Sequence, residues 1–398
     1  LKATSNPQSF TRLGVLFFNL RTNVLLNFLY LHFKLEFYIS NMRVLQLIDS
    51  LEAGGAERMA VTIANSLHNQ ISFSGLATTR AEVFLANQID SYVSYMYLNR
   101  KKFFDKNDIK KALNFIKANE VSIIHAHSSS IFFALMLKIF LPKIQLIWHD
   151  HYGKSEELNK RPKFQLQFAS LFVKQIFAVN ENLVSWSQKY LFCKKITFLP
   201  NFISEVSNAS SQIVLPGITG KRIVHLANLR PQKNHFLLLQ IAKMCVENDK
   251  EITFHLIGKD FNDSYSKAIK QFIQSNNLSS NVFVYGTRED IYSLLNQATI
   301  GVLSSSSEGL PVALLEYGFC KLPVISTDVG DISKVITHQQ NGILINDNEV
   351  ATFYHAIMNL VENQNLQRTF GNKLHQVILN QYSKAAFLKK YLTVLHEF

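Results

Sequence analysis

The sequence predicts an α/β protein of two parallel-sheet domains, and three observations carry that prediction. From Met42 onward, short β-branched apolar runs alternate with amphipathic helical stretches, which is the pattern of βαβ units. The alternation fades once, around 201–220, where Ser, Asn, Pro and Gly cluster, and then resumes. At 398 residues the chain also exceeds one ordinary core, since domains run to roughly 150 residues each.

The elements follow in order. A strand is expected over 43–49, then a helix from Ala56 whose Met59, Ala60, Ile63, Ala64 and Leu67 share one face. Next come a strand over 121–126, a helix over 131–140 ended by Pro142, and a strand over 144–148. Lys138, Pro142 and Lys143 divide the apolar stretch 131–148, which would otherwise read as membrane-spanning. The second series begins with a strand over 222–227 and a helix from His235 capped by Asn234. It continues with strand 252–257, a helix from Ser264, strand 282–285, helix 290–297, strand 300–304, helix 310–319 and strand 323–326. Helices are expected to fill the C-terminus, the last capped by Ser383. Residues 1–41 are set apart. Their greasy stretch 13–39 contains Arg21, Lys34 and Glu36, and its longest run without these charges, 22–33, falls short of the roughly 20 apolar residues of a spanning helix. They are expected to be a non-core extension: upstream sequence, an interfacial helix or a weak signal-anchor.

Composition narrows the function classes. Apolar residues make up 47% and charged residues 18%, so the chain can fill its interiors and carries no signature of disorder. Cys193, Cys245 and Cys320 are odd in number and widely spaced, which speaks against a disulfide framework and a zinc site and points to a reducing, cytoplasmic setting. The net charge of +12 favours anionic partners. Much of it lies at Arg100, Lys101, Lys102, Lys106, Lys110 and Lys111 and at Lys160, Arg161 and Lys163, either as a solvated face or as an attraction to an anionic membrane.

The most informative stretch runs from Ser304 to Asp331: a strand ending in four serines, then Glu308, Gly309, Leu310 and Pro311, then a helix containing Glu316. Carboxylates accept hydrogen bonds from sugar hydroxyls, while the free N–H groups at a helix start attract phosphate. One segment can therefore hold both ends of a nucleotide sugar, although two ordinary helix glutamates would read the same way alone. Arg230 and Lys233 break the tie. They follow the first strand of the second series, and open α/β sheets bind ligands at the carboxyl ends of their strands, so both cations project toward the crevice of Glu308.

On these residues the chain resembles the retaining glycosyltransferases of family 4, which have the GT-B fold of two facing Rossmann-like domains. The resemblance runs from Met42 to the C-terminus. It is carried by Gly54-Gly55-Ala56-Glu57-Arg58, His125-Ala126-His127, Leu199-Pro200-Asn201, Arg230 with Lys233, Gly258, Gly286, Glu308-Gly309-Leu310-Pro311 with Glu316, and Asn341-Gly342. It implies an acceptor-binding domain at 42–205, a linker at 206–220, a nucleotide-sugar-binding domain at 221–382 and a terminal helix, 383–398, packing back on the first domain. By the same resemblance Arg230 and Lys233 neutralise the donor diphosphate, Glu308 contacts the transferred sugar, and Glu316 contacts the ribose. Backbone N–H groups of Gly309, Leu310 and Val312 meet sugar and phosphate, though Pro311 has none to give, and Gly54 and Gly55 let the first domain approach the diphosphate. His127 matches the histidine that faces the sugar. Asn228 departs from the pattern, standing where the family often has Gly or another small residue.

His125 and His127 share one side of their strand, with His149 and His151 on the next. Hydrogen-bonded cleft residues are expected here rather than a metal site, since no cysteine accompanies them and Asp150 is the one adjacent carboxylate. His149 and Asp150 are acceptor-side candidates. The resemblance implies transfer with retention and without a protein nucleophile, metal or cofactor, to a glycan or lipid-linked acceptor, in bacterial cell-surface polysaccharide assembly on the inner face of the membrane. UDP is the expected donor nucleotide, and no nucleic acid is expected as partner. Alternatives are a nucleotide-sugar epimerase or hydrolase of the same fold and a silent binding subunit. A dehydrogenase is disfavoured because no dinucleotide glycine fingerprint follows either first strand, and 217–222 lacks a phosphate-loop Gly-Lys-Ser/Thr.

Overall fold

The computed structural model describes residues 41–397 apart from 53, 83, 103, 154, 204–212 and 347–348. The N-terminal extension, but for Asn41, and the first part of the expected linker lie outside the described residues.

Strands β1 (Arg43–Ser50), β2 (Phe73–Ala81), β3 (Ser94–Tyr97), β4 (Ile123–His127), β5 (Gln145–Asp150), β6 (Gln175–Ala178) and β7 (Ile196–Phe198) form one parallel sheet in the order β3-β2-β1-β4-β5-β6-β7. Strands β8 (Arg222–Leu226), β9 (Thr253–Ile257), β10 (Val282–Gly286), β11 (Ile300–Leu303), β12 (Val324–Thr327) and β13 (Ile343–Ile345) form a second, in the order β10-β9-β8-β11-β12-β13, also parallel throughout. Both orders reverse direction beside the first strand. Such a switch point opens a crevice at the carboxyl ends of β1 and β4, and again at those of β8 and β11. Helices α1 (Gly55–Leu67), α2 (Lys106–Ala118), α3 (Ile131–Phe140), α4 (Phe164–Ser170) and α5 (Glu181–Tyr190) serve the first sheet. Helices α6 (His235–Asn248), α7 (Ser264–Ser275), α8 (Ile291–Leu295), α9 (Val312–Phe319), α10 (Val350–Glu362) and α11 (Gln364–Gln381) serve the second. No helix among the described residues is long and apolar enough to cross a membrane.

Local chemistry explains the element ends. Asp105, Asn180, Asp263 and Ser383 cap α2, α5, α7 and the final helix α12 (Lys384–His396) by accepting backbone N–H bonds. Asn234 corrects its expected role: it is left-handed (φ 51°), makes no side-chain cap bond, and closes the short turn Pro231–Lys233 instead. Helix α9 starts at Val312 rather than at 310, because Pro311 biases the residue before it away from helix. Strand β13 interrupts the expected run of C-terminal helices and is too short to announce itself in the sequence.

The chain crosses between the domains twice, and the two crossings touch: Ile203 N–H donates to the Tyr382 carbonyl (2.9 Å). Helix α12 then lies on the first sheet, where Phe387, Tyr391 and Leu395 join Met42, Val44, Met59, Ile63 and Phe177 in one buried cluster. Within 213–220, Leu215 is wholly buried in the second domain's core, so this part of the expected linker is packed rather than loose.

Candidate active site

A cleft of about 410 Å³ opens between the carboxyl ends of the two sheets. On the second-domain side the loop after β8 presents Arg230 and Lys233, and the loop after β11 presents Glu308 ahead of α9. Lys233 Nζ donates to Glu308 Oε1 at 2.5 Å, and Ser305 Oγ donates to the same oxygen at 2.7 Å. The serine run stitches the two loops together. Ser304 Oγ donates to the carbonyls of Lys233 and Asn234, and Ser306 N–H donates to that of Gln232. Gly330 clamps the loop from behind: it is left-handed (φ 61°), and a Cβ there would collide with the Glu308 carbonyl. Arg230 stacks its guanidinium over Phe261, 4.6 Å from the ring centroid, which fixes its plane. Asn228 has no positive φ, and its Oδ1 accepts from Lys259 N–H, so this loop does not require a glycine there.

The first domain contributes Gly54, Gly55 and Arg58 from the turn after β1 and the start of α1. Arg58 Nη1 donates to Glu316 Oε1 across the cleft at 2.8 Å, and Lys259 Nζ reaches back to Glu52 Oε2 at 2.9 Å. Glu316 is buried, so desolvation pushes its carboxyl upward while Arg58 pulls it down. Burial likewise raises Glu57, whose carboxylate fills the space where a Cβ on Gly54 would stand. Asn201 on the crossing segment donates from Nδ2 to the Leu310 carbonyl (3.0 Å), anchoring the approach to α9. The cleft therefore lines up fixed cations, carboxylates and the start of α9 within one space.

Residues 53–205 match the family Glycosyltransferase Family 4, and residues 210–377 match Glycosyl transferases group 1. The chain belongs to the group 1 glycosyltransferases. Among relatives of this glycosyltransferase, the Staphylococcus aureus poly(ribitol-phosphate) alpha-N-acetylglucosaminyltransferase is 28% identical over 204 residues, which is 51% of this chain and 40% of that one. The match thus spans less than half of that relative's length. The Escherichia coli UDP-Gal:alpha-D-GlcNAc-diphosphoundecaprenol alpha-1,3-galactosyltransferase is 23% identical over 296 residues, 69% of this chain and 75% of its own. Anabaena HepE, crystallised with UDP and glucose, superposes with a TM-score of 0.75 at 16% identity, over 90% of this chain and 100% of its own. The fold is GT-B.

In the glycosyltransferase the sequence-predicted Gly54, Gly55, Arg230, Lys233, Glu308, Gly309, Leu310, Val312 and Glu316 all line the cleft. His127, His149 and Asp150 do not, which corrects their expected placement. His127 is fully buried, its Nε2 bonded to Gln46 Oε1 (2.9 Å) and its Nδ1 to His151 Nε2 (3.0 Å), so His151 is the imidazole at the wall. Asp150 is buried under a two-pronged ion pair with Arg161 at 2.7 and 2.8 Å, which makes it an internal anchor. Burial holds His127 well below the usual imidazole range and His149 at about 3, so both are neutral at pH 7. His125, His127 and His149 bring one ring nitrogen each within 4.8 Å of the others. Both His127 nitrogens are hydrogen-bonded and His125 Nδ1 pairs with Tyr391 Oη (3.0 Å), while His125 Nε2 and both His149 nitrogens are buried without a hydrogen-bond partner among the described residues. Sequence reasoning missed Arg58, Lys259, Glu52 and Asn201 as cleft residues. Arg58 and Asn201 stood inside motifs already singled out, whereas Lys259 and Glu52 left no signal of their own.

Proposed function

We propose that this glycosyltransferase moves a sugar from a nucleoside diphosphate sugar, UDP first, to a glycan or lipid-linked acceptor with retention and without a metal or cofactor. The process we assign is bacterial cell-surface polysaccharide assembly at the cytoplasmic face of the membrane. One observation carries the reading: Arg230 and Lys233, the start of α9, and the paired acids Glu308 and Glu316 converge on a single interdomain cleft. Two cations and free helix N–H groups suit a diphosphate, and two acids on either side of it suit the hydroxyls of sugar and ribose. The names of the two relatives support the acceptor class, one acting on a poly(ribitol-phosphate) polymer and the other on an undecaprenol diphosphate lipid. HepE bound to UDP supports the nucleotide.

In this reading the bond from the anomeric carbon to the diphosphate oxygen breaks, and the acceptor oxygen bonds on the same face. The acceptor proton passes to the departing phosphate. Arg230 and Lys233 stabilise the charge gathering there, an effect that grows toward the transition state. Glu308 orients the sugar through its hydroxyls, and His151 faces the site with its ring fixed from behind by His127 and Gln46. His127 therefore acts through His151, and His149 and Asp150 support this wall.

A thermal-shift screen of UDP- and GDP-sugars, followed by product analysis with glycan and lipid-linked acceptors, tests the proposal. Stabilisation by UDP-sugars and a retained anomeric configuration are expected. Release of free sugar or an epimerised donor irrespective of acceptor would overturn transfer, and donor binding with no turnover would mark a silent subunit.

A further inference from the structure

We propose that the outer face formed by α3 and α4 is the surface by which this protein docks on an anionic lipid bilayer, with the aromatic side chains of α4 entering the headgroup region. Helix α4 is amphipathic in an unusual sense, because its apolar stripe points outward. Phe164 and Phe168 lie one turn apart on it, and Leu171 and Phe172 continue the line past its end. Phe164 is 83% exposed and the other three between 43% and 58%. The end of α3 adds Ile139, at 77%, and Phe140. A shallow groove of about 300 Å³ between Phe132, Phe164 and Phe168 joins the two helices. Scattered exposed apolar residues need no explanation, but a contiguous aromatic stripe of this kind marks an interaction surface.

Its surroundings identify the partner. Residues 131–174 contain seven Lys or Arg against three Asp or Glu; Asp150 and Arg161 are buried against each other, which leaves six against two. Lys143 is exposed just after Phe140 in the chain and Lys160 just before Phe164, the latter lysine paired with the exposed Glu157 at 3.3 Å, and α2, which packs on α3, exposes Lys106, Lys110 and Lys111. Lysine is depleted at the cores of protein interfaces, whereas aromatic residues ringed by lysine suit anionic headgroups over an acyl boundary. Helix α4 belongs to the same domain as the Tyr152–Gly153 wall of the cleft and follows it in the chain after the short 3-10 turn Ser155–Lys160, so a bilayer held there would contact the acceptor domain. The inference rests on the membrane location proposed above and is independent of the donor chemistry.

Flotation of the full chain with phosphatidylglycerol-containing vesicles and with pure phosphatidylcholine vesicles tests it, alongside turnover on a water-soluble acceptor. The wild type should float with the anionic vesicles. The double variant Phe164→Ser/Phe168→Ser should partition about tenfold less or worse, keeping its melting temperature and soluble turnover, and Lys143→Glu/Lys160→Glu should lose binding mainly at low salt. If the wild type binds anionic vesicles and the Phe variant binds equally well, the surface is wrong while the membrane reading stands. If the wild type binds neither vesicle, both fail. A wild-type dimer that the Phe variant converts to monomer would make this face a protein interface and overturn the proposal.

Discussion

Lys233 Nζ and Glu308 Oε1 stand 2.5 Å apart, an ion pair that a diphosphate and a sugar hydroxyl would have to divide between them. Because the phosphate charge develops as the glycosidic bond breaks, Lys233→Ala should lower kcat by about 10²-fold or more while changing donor affinity far less. Equal losses in kcat and affinity, measured by steady-state kinetics and calorimetry, would count against transition-state stabilisation. Glu308 and Lys233 were legible in the sequence because each sits just past the end of a strand. The pairing of Arg58 with Glu316 was not, since 258 residues separate them. The histidines lead to a second expectation. In the unfolded chain they take up protons below about pH 6.5, whereas burial keeps His125, His127 and His149 neutral in the fold, His149 down to about 3. The unfolded state then binds more protons on acidification, so stability should fall as pH drops from 6.5, by up to about 1.4 kcal/mol per pH unit for each such histidine. Urea midpoints recorded from pH 7 to 5 check this, and a flat profile would contradict it.

Among the elements, α12 shows best how local pattern and tertiary placement divide. Its Ser383 cap and its start were readable from residue types, but the face it covers depends on the chain returning beside Ile203. Phe387 stacks on Phe202 at 4.0 Å between centroids and is buried in the first domain's cluster. Phe387→Ala should cost about 3–5 kcal/mol of stability, read from urea denaturation. The loop ahead of α9 is held differently, by Gly330 and by serine hydroxyls. Gly330→Ala should push the 308–309 backbone outward, lower stability by about 1–3 kcal/mol and raise the donor KM. An unchanged KM would mean that the loop tolerates the displacement. The four serines were visible as a run, yet the joining of two loops by Ser304 and Ser306 was not, because partners distant in sequence leave no periodic trace.

Across the whole molecule, two domains meet over a charged cleft and are tied by Arg58–Glu316 and Lys259–Glu52. A ligand that bridges both walls stabilises the folded state by mass action, so UDP at 100 times its Kd should add about 2.7 kcal/mol to the unfolding free energy. Under the proposed mechanism EDTA should leave turnover unchanged, and activity restored by manganese after EDTA would overturn the metal-independent reading. The sequence by itself determined the two-series α/β plan, the strand-end positions of Arg230, Lys233 and Glu308 and the place of Glu316 in the helix that follows, because periodicity and loop chemistry are local and each strand end points toward the crevice. Only the tertiary structure decided that His151 rather than His127 reaches the cleft, that Asp150 is locked to Arg161, and that the aromatic stripe of α4 faces outward. Those outcomes depend on which surfaces of distant elements come to lie against one another, and residue spacing along a chain does not encode that directly.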